Sequence, residues 1–122
     1  PSRGLGDVYK RQAYLIRKYG RMDTSEYARI MQLKTSELRG AILAIGGMSA
    51  MEWRNRYLLL EAQELMERTD MSITAIAAKL GFSQPSVFSK FFRTLTKSQP
   101  WEWRIEKKKP GSNRKRTYHC YE

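Results

Sequence analysis

Cysteine and histidine are almost absent from the 122-residue sequence, which contains one of each, Cys120 and His119. A single cysteine excludes an internal disulfide, and the two residues together supply too few ligands for a zinc site. They are neighbours in a charged tail, so they do not form the preorganised nucleophile and base of a catalytic site. No apolar run approaches the roughly 18 residues of a membrane-spanning helix. We therefore predict a soluble protein of a reducing compartment that is not an enzyme and holds no metal or cofactor.

Acidic residues are also scarce, since 12 Asp and Glu stand against 23 Lys and Arg and the formal net charge is +11. A basic excess of this size indicates an anionic partner, either nucleic acid or an anionic membrane surface. The excess lies mostly at the two ends, because residues 1–22 and residues 107–122 carry +5 each and residues 23–106 only +1. The basic tail has no apolar helical face to anchor it in a bilayer, so we expect no membrane partner.

The two ends have compositions unlike that of a folded domain. Residues 107–122 combine runs of lysine and arginine with the turn-forming sequence Pro110-Gly111-Ser112-Asn113. We predict a basic disordered tail there, which either binds phosphates without sequence preference or is merely a solvated terminus. Residues 1–12 begin with proline instead of methionine and contain no signal-peptide apolar region. We interpret them as a non-native or disordered leader outside the functional part.

Helical periodicity runs through the rest of the sequence, and the alternation typical of strands is missing. We therefore predict an all-α fold. Short turns and breakers separate the helices, among them Gly20, Gly46-Gly47 and Thr69-Asp70. The predicted helices cover residues 9–19, 25–31, 35–45, 50–68 and 73–80, followed by one capped by Ser83 and a short one at residues 100–104.

The clearest pattern begins at Ser72, which can cap a helix with apolar residues at i, i+3, i+4 and i+7. Gly81 ends that helix, and Ser83 can cap a second one that has Pro85 in its first turn and the same apolar spacing. Two amphipathic helices joined by a tight glycine turn form a helix-turn-helix, which either only packs or places its second helix in the DNA major groove. A basic stripe along the second helix favours DNA, and it consists of Lys90, Arg93 and Lys97.

The same segment resembles the second helix-turn-helix of AraC-type (AraC/XylS) bacterial transcription regulators. Two positions depart from the family pattern, since Lys97 stands where glycine is usual and Gln99 where Thr or Ser usually precedes the proline. These departures put the turn after the second helix in question, but not the resemblance. The matched residues are Ser72-Ile73, Ile76-Ala77, Gly81-Phe82-Ser83, Ser86-Val87-Phe88-Ser89-Lys90-Phe91-Phe92-Arg93 and Pro100-Trp101-Glu102-Trp103-Arg104.

The resemblance implies two helix-turn-helix units joined by a long linker helix. The first unit matches less well, because Lys34 replaces the usual capping serine and leaves Thr35 as the expected cap. Gly40 and Leu43 occupy positions that are commonly basic, and residues 23–47 sum to zero charge. The first unit therefore either binds DNA weakly or serves mainly as a packing partner. The implied division is a leader (1–12), a first unit (13–47), a linker helix (48–70), a second unit (71–106) and a tail (107–122).

The resemblance further implies that both second helices enter the major groove on one face of DNA, in consecutive turns. Glutamine can pair bidentately with adenine and serine can donate or accept, so polar residues at the start of each second helix are the candidates for base contact. Exposed cations farther along are the candidates for phosphate contact. The base-contact candidates are Gln84, Pro85, Ser86 and Ser89 in the second unit and Thr35, Ser36 and Arg39 in the first; the phosphate-contact candidates are Lys90, Arg93 and Lys97.

We interpret the chain as a sequence-specific regulator of bacterial transcription that binds double-stranded DNA in the cytoplasm, at the nucleoid. The alternative is a non-specific DNA-binding or protein-interaction module with a degenerate first unit. Apolar residues 43–45 would suit an oligomer or RNA polymerase contact. Family members often carry an upstream effector domain, whereas others consist of the DNA-binding domain alone, so such a domain outside this sequence is a further expectation.

Overall fold

The computed structural model of the chain describes residues 2–108, except for the side chains of residues 2, 3 and 5. These residues form seven α-helices and no strand, which confirms the predicted all-α fold. The predicted tail lies outside the described residues from position 109 onward, as do His119 and Cys120. No helix in the described range is long and apolar enough to cross a membrane. The helices are α1 (Ser2–Tyr19), α2 (Thr24–Ile30), α3 (Thr35–Gly46), α4 (Ala50–Arg68), α5 (Ile73–Lys79), α6 (Pro85–Thr96) and α7 (Pro100–Lys108).

Two compact units divide the chain between Leu58 and Leu59, within helix α4. The first unit contains α1, α2, α3 and the N-terminal part of α4, and the second contains the remainder. Each unit has a helix of 7 residues followed by one of 12, which are α2 with α3 and α5 with α6. The finer bounds of leader, units, linker and tail stay a prediction.

Helix α1 begins at Ser2 rather than at the predicted Tyr9, so the described part of the predicted leader is helical. The reason lies in contacts that no local pattern reveals. The ring of Tyr9 packs edge-on against Trp53, with 4.5 Å between the ring centroids, and Gln12 is fully buried. Once these residues are anchored, about two further turns form readily, because extending a helix is easier than nucleating one.

Tyr27 is a buried polar group in the core of the first unit. Its ring is fully buried, its hydroxyl donates to the carbonyl of Gly20, and the N–H of Met22 donates to that hydroxyl at 3.1 Å. Burial raises the pKa of Tyr27 to about 12, so the phenol stays neutral at physiological pH. The hydroxyl therefore fixes the chain between α1 and α2. The other buried side chains of the first unit include Leu15, Ile16, Leu38, Ile42, Trp53 and Leu58.

Aromatic rings form the core of the second unit. Phe88 lies 5.2 Å from Phe82 and 5.9 Å from Phe92, and Phe92 lies 5.9 Å from Trp103, all measured between ring centroids. Phe88 and Phe92 are fully buried and share one face of α6, as their spacing in the sequence predicts. This face holds α6 to the rest of the unit and leaves its opposite face outward.

Candidate nucleic-acid interface

The turn between the two helices has the same hydrogen bonds in both units. In each unit, three successive N–H groups donate hydrogen bonds to carbonyls in the last turn of the first helix, with N···O distances of 2.9–3.1 Å. The second N–H of the three belongs to a residue with positive φ, which is Gln32 (61°) in the first unit and Gly81 (87°) in the second. Both segments are therefore helix-turn-helix units in geometry as well as in pattern. The three donors are Met31, Gln32 and Leu33 in the first unit and Leu80, Gly81 and Phe82 in the second.

The prediction that Ser72 caps α5 is confirmed, since its hydroxyl accepts from the N–H of Ala75 at 3.0 Å. The prediction that Ser83 caps α6 is wrong, because the capping residue is Gln84 in an extended conformation. Pro85 is the reason: a proline at the first helical position keeps the residue before it out of the helical region. Gln84 therefore stands at the tip of α6, and the hydroxyl of Ser86 lies 3.4 Å from its Oε1 atom.

The expected cap of α3 at Thr35 is also wrong, since Lys34 is the residue before the helix and Thr35 is its first residue. Lys34 has no acceptor oxygen in its side chain. Instead its backbone N–H donates to Oε1 of Glu37 at 2.8 Å, which satisfies one of the free N–H groups at the start of the helix. A glutamate three residues after the cap is thus sufficient to start α3 here.

The recognition helix α6 presents its predicted contact residues outward. Gln84, Pro85 and Ser86 are exposed at its N-terminal end, and Ser89 is half-buried. The three phosphate-contact candidates are exposed as well, one turn apart along the helix. In the first unit, Ser36 and Arg39 are exposed on α3 and Thr35 is half-buried. The predicted residues of each unit therefore form one accessible surface, and their role in binding DNA stays a prediction.

One tripeptide of the first unit, Glu-Trp-Arg at 52–54, recurs in the second unit at an interval of 50 residues, at 102–104. In both copies the glutamate accepts from the N–H at the helix start, at 3.4 Å from Ser49 and 3.3 Å from Gln99. In both copies the tryptophan is buried. The tripeptide repeat is the signal in the sequence from which the common architecture of the two units could have been recognised.

The arginine of each tripeptide lies on the helix that follows α3 or α6. It donates hydrogen bonds to backbone carbonyls before the helix-turn-helix of its unit. Arg54 donates to the carbonyl of Met22 at 2.9 Å, and burial, with a smaller effect of Arg21, lowers its pKa. Arg104 donates to three carbonyls, those of Met66 at 3.0 Å, Thr69 at 2.8 Å and Met71. Neither arginine is among the predicted site residues, because their partners are 32 to 38 positions away. Both are positioning residues for the interface.

The same interval aligns α3 with α6, and the two aligned segments differ in charge. All three candidate cations of α6 fall on positions that hold glycine or leucine in α3. Near its C-terminal end α3 instead exposes apolar side chains, Leu43 by 60% and Ile45 by 48%. The second unit therefore has three exposed cations at positions where the first unit has none. The counterparts of Lys90, Arg93 and Lys97 are Gly40, Leu43 and Gly47.

Lys97 ends α6 in the left-handed conformation, at φ 67°, whereas Gly47 ends α3 at φ 68°. A residue with a side chain is strained there and glycine is not. We therefore expect Lys97→Gly to raise the free energy of unfolding by about 0.5–1 kcal/mol, even after the greater freedom of glycine in the unfolded chain. The same change removes a candidate phosphate contact, so duplex affinity should fall while stability rises. Urea unfolding and fluorescence anisotropy with a labelled duplex measure the two effects, and a parallel loss of both would contradict the assignment.

Three comparisons with known proteins agree with this geometry. Residues 27–105 match the family model of the helix-turn-helix domain. The regulatory protein PocR of Salmonella typhimurium is 41% identical over 58 residues, which are 48% of this chain and 19% of that protein. The chain thus spans less than a fifth of the length of that relative.

Several solved structures share this fold. An AraC-type regulator from Chromobacterium violaceum superposes with a TM-score of 0.73 at 22% identity, covering 88% of this chain and 98% of that one. The DNA-binding domain of AdpA, solved in complex with a target DNA, gives 0.70 at 22% identity over 83% and 89% of the two chains. The C-terminal domain of AraT, a response regulator from Geobacillus stearothermophilus, gives 0.73 at 19% identity over 93% and 96%. With two helix-turn-helix units in its structure and a family match over most of its described length, the chain belongs to the AraC-type helix-turn-helix family of DNA-binding transcription regulators.

Proposed function

We propose that the chain binds double-stranded DNA at specific sequences and that α6 of the second unit supplies most of the contacts. The observation that carries this proposal is the charge difference between the two recognition helices. Lys90, Arg93 and Lys97 line an exposed stripe beside an uncharged polar tip, whereas α3 has no cation at the three matching positions. Cations along a recognition helix hold it against phosphates, and polar side chains at its N-terminal end reach base edges.

The residues at the tip of α6 suit the reading of bases. Gln84 and Ser86 are exposed, and Pro85 fixes the backbone between them, so the backbone loses little freedom on binding. The Gln84 amide can donate and accept at once, as adenine requires in the major groove. In the first unit Arg39 is the exposed candidate, and its guanidinium suits guanine.

Replacing Arg93 with alanine should weaken binding to every duplex and reduce the slope of log affinity against log salt by about 1. Gln84→Ala should leave that slope unchanged and relax preference at one base pair of the site. A site selected from a random duplex pool, titrated by fluorescence anisotropy at several salt concentrations beside a scrambled duplex, measures both. If neither variant changes binding, the proposed interface is wrong.

Two matched variants test whether position or mere charge matters. Arg68 is an exposed cation paired with Glu64 at 2.6 Å, so Arg68→Ala removes a positive charge outside the proposed interface and should leave the salt slope nearly unchanged. Gly40→Lys adds a cation to α3 at the position of Lys90, where an added Cβ meets no atom within 4 Å. It should increase duplex affinity and the salt slope, because it gives the first unit the contact that it lacks.

The exposed apolar side chains near the end of α3 favour a second candidate role for the first unit, in contact with a protein. Leu43 and Ile45 are exposed, and Leu43 lines a groove of about 590 Å³ together with Met51, Arg39 and Asp23. RNA polymerase or an effector domain elsewhere in the protein would be such a partner, in the bacterial cytoplasm and at the nucleoid. Equal affinity for selected and random duplexes would favour this role, or non-specific binding, over sequence-specific recognition.

A further inference from the structure

Val87 is an exposed apolar residue at the tip of α6, and it is not among the predicted contact residues. It is the third residue of the helix and is 37% exposed. At about 100° of rotation per residue, its side chain projects roughly 100° away from Phe88 and 140° away from Phe92, the two rings that hold α6 to its unit. It lies only about 60° from the exposed Lys90. Val87 is therefore part of the outward face of α6.

Helix α7 shows what the same position does when it serves folding. Both helices follow a glutamine and begin with a proline, at Gln84-Pro85 and Gln99-Pro100. The third residue of α7 is Glu102, whose Oε1 accepts from the N–H of Gln99 at 3.3 Å, and glutamates at the third position of α3 and α4 accept in the same way. The first turn of α6 has no acidic residue, and valine is a weaker helix former than most residues. Neither core packing nor the start of the helix therefore explains Val87.

We propose that Val87 contacts the 5-methyl group of a thymine in the DNA site. This inference rests on the proposed function, and it adds one base to the site that α6 binds. Thymine is the base of unmodified DNA that presents a methyl group in the major groove, where apolar side chains contact it. Gln84 and Ser86 offer polar groups to a base, and Pro85 lies within about 20° of Phe92, on the side of the core. Val87 is thus the apolar group at the tip that faces outward.

The test removes the methyl group from the DNA and the isopropyl group from the protein. A site selected from a random duplex pool is titrated with the full chain by fluorescence anisotropy, after each thymine in turn is replaced by deoxyuridine, which still pairs with adenine and lacks only the methyl group. We expect one thymine at which this replacement weakens binding about fourfold, as the loss of one buried methyl group should. With Val87→Ala the same replacement should have no further effect. Alanine is the better helix former, so the variant should keep its circular dichroism spectrum.

Ile105→Ala is the matched control, because it shortens an exposed β-branched side chain on α7. It should keep the full sensitivity to deoxyuridine. 5-Methylcytosine presents the same methyl group, so it should bind more tightly than cytosine at the identified position. Tighter binding of 5-methylcytosine than of thymine would assign the contact to methylated DNA and overturn the proposal. Equal sensitivity of the wild type and Val87→Ala, or no sensitivity at any thymine, would overturn it as well.

A second variant, Val87→Glu, tests whether this position serves binding instead of folding. The new carboxylate can accept from the N–H of Gln84, as Glu102 does from Gln99, so the midpoint of urea unfolding should shift to a higher concentration. The same carboxylate would face phosphates and base edges, so duplex affinity should fall at least tenfold at low salt. Unchanged affinity, or a lower midpoint, would mean that Val87 serves folding and would overturn the proposal.

The duplex titrations also separate this inference from the function on which it rests. If no site can be selected from the random pool, sequence-specific binding fails and the thymine contact fails with it. If a site is selected and deoxyuridine has no effect, only the assignment of Val87 fails.

Discussion

Replacing Arg104 with methionine should lower the free energy of unfolding by about 3 kcal/mol, because a charged donor that holds three carbonyls is lost. The guanidinium donates to the carbonyls of Met66, Thr69 and Met71, in the segment that leads into α5. Methionine keeps much of the aliphatic packing but cannot donate. The loss should be largest for the backbone amides of α5 and α6, so hydrogen exchange should show them opening first.

Arg54→Met and Lys90→Met are the matched controls for this prediction. Arg54 holds one distant carbonyl and the side chain of Asn55, so its loss should cost about half as much as that of Arg104. Lys90 is exposed on α6, and its replacement should change the stability by less than about 0.5 kcal/mol. Equal effects of Arg54 and Arg104 in urea unfolding would mean that the extra carbonyl contacts contribute nothing.

Replacing Phe88 with alanine should lower the free energy of unfolding by about 3–5 kcal/mol. The side chain is fully buried and contacts Phe82, Phe91 and Phe92, at centroid distances of 5.2, 6.4 and 5.9 Å. Its removal leaves a cavity under the recognition helix, and the neighbouring rings cannot all move into it. Duplex binding should fall with the folded fraction, which thermal unfolding by circular dichroism measures.

Phe91→Ala on the same helix is the control for the loss of the ring at Phe88. Phe91 is half-buried and its centroid lies 5.0 Å from that of Phe82, so it fills less of the closed core. We expect a loss below about 2 kcal/mol. A larger loss of unfolding free energy at Phe91 than at Phe88 would show that Phe88 is not the centre of the aromatic cluster.

Most of the second unit could be predicted from the sequence, because local chemistry determines it. The spacing of Ile76, Leu80, Phe88 and Phe92 identifies the buried faces, and the serine cap at Ser72 is set by the residues next to it. The cap of α6 was predicted one residue too early, although Pro85 already contained the information. The restriction that Pro85 places on the residue before it outweighs the capping preference of Ser83.

The rest depends on contacts between residues far apart in the sequence. The start of α1 at Ser2 follows from the packing of Tyr9 on Trp53, and the arginines of the two tripeptides find carbonyls more than 30 residues away. Periodicity and capping rules contain no information about such pairs. Comparison of the sequence with itself indicates that the two arginines have equivalent places, because Glu-Trp-Arg recurs after 50 residues.

The left-handed residues at 47 and 97 should respond alike to selection for folding but differently to selection for DNA binding. At Gly47 an added Cβ meets no atom, yet φ of 68° strains every side chain, so a saturation library selected for folding should recover mainly glycine, followed by asparagine. At Lys97 a library selected for folding should also enrich glycine, whereas one selected for DNA binding should retain lysine or arginine. Selection for stability alone should leave a glycine at this position. Selection for binding should leave a lysine instead.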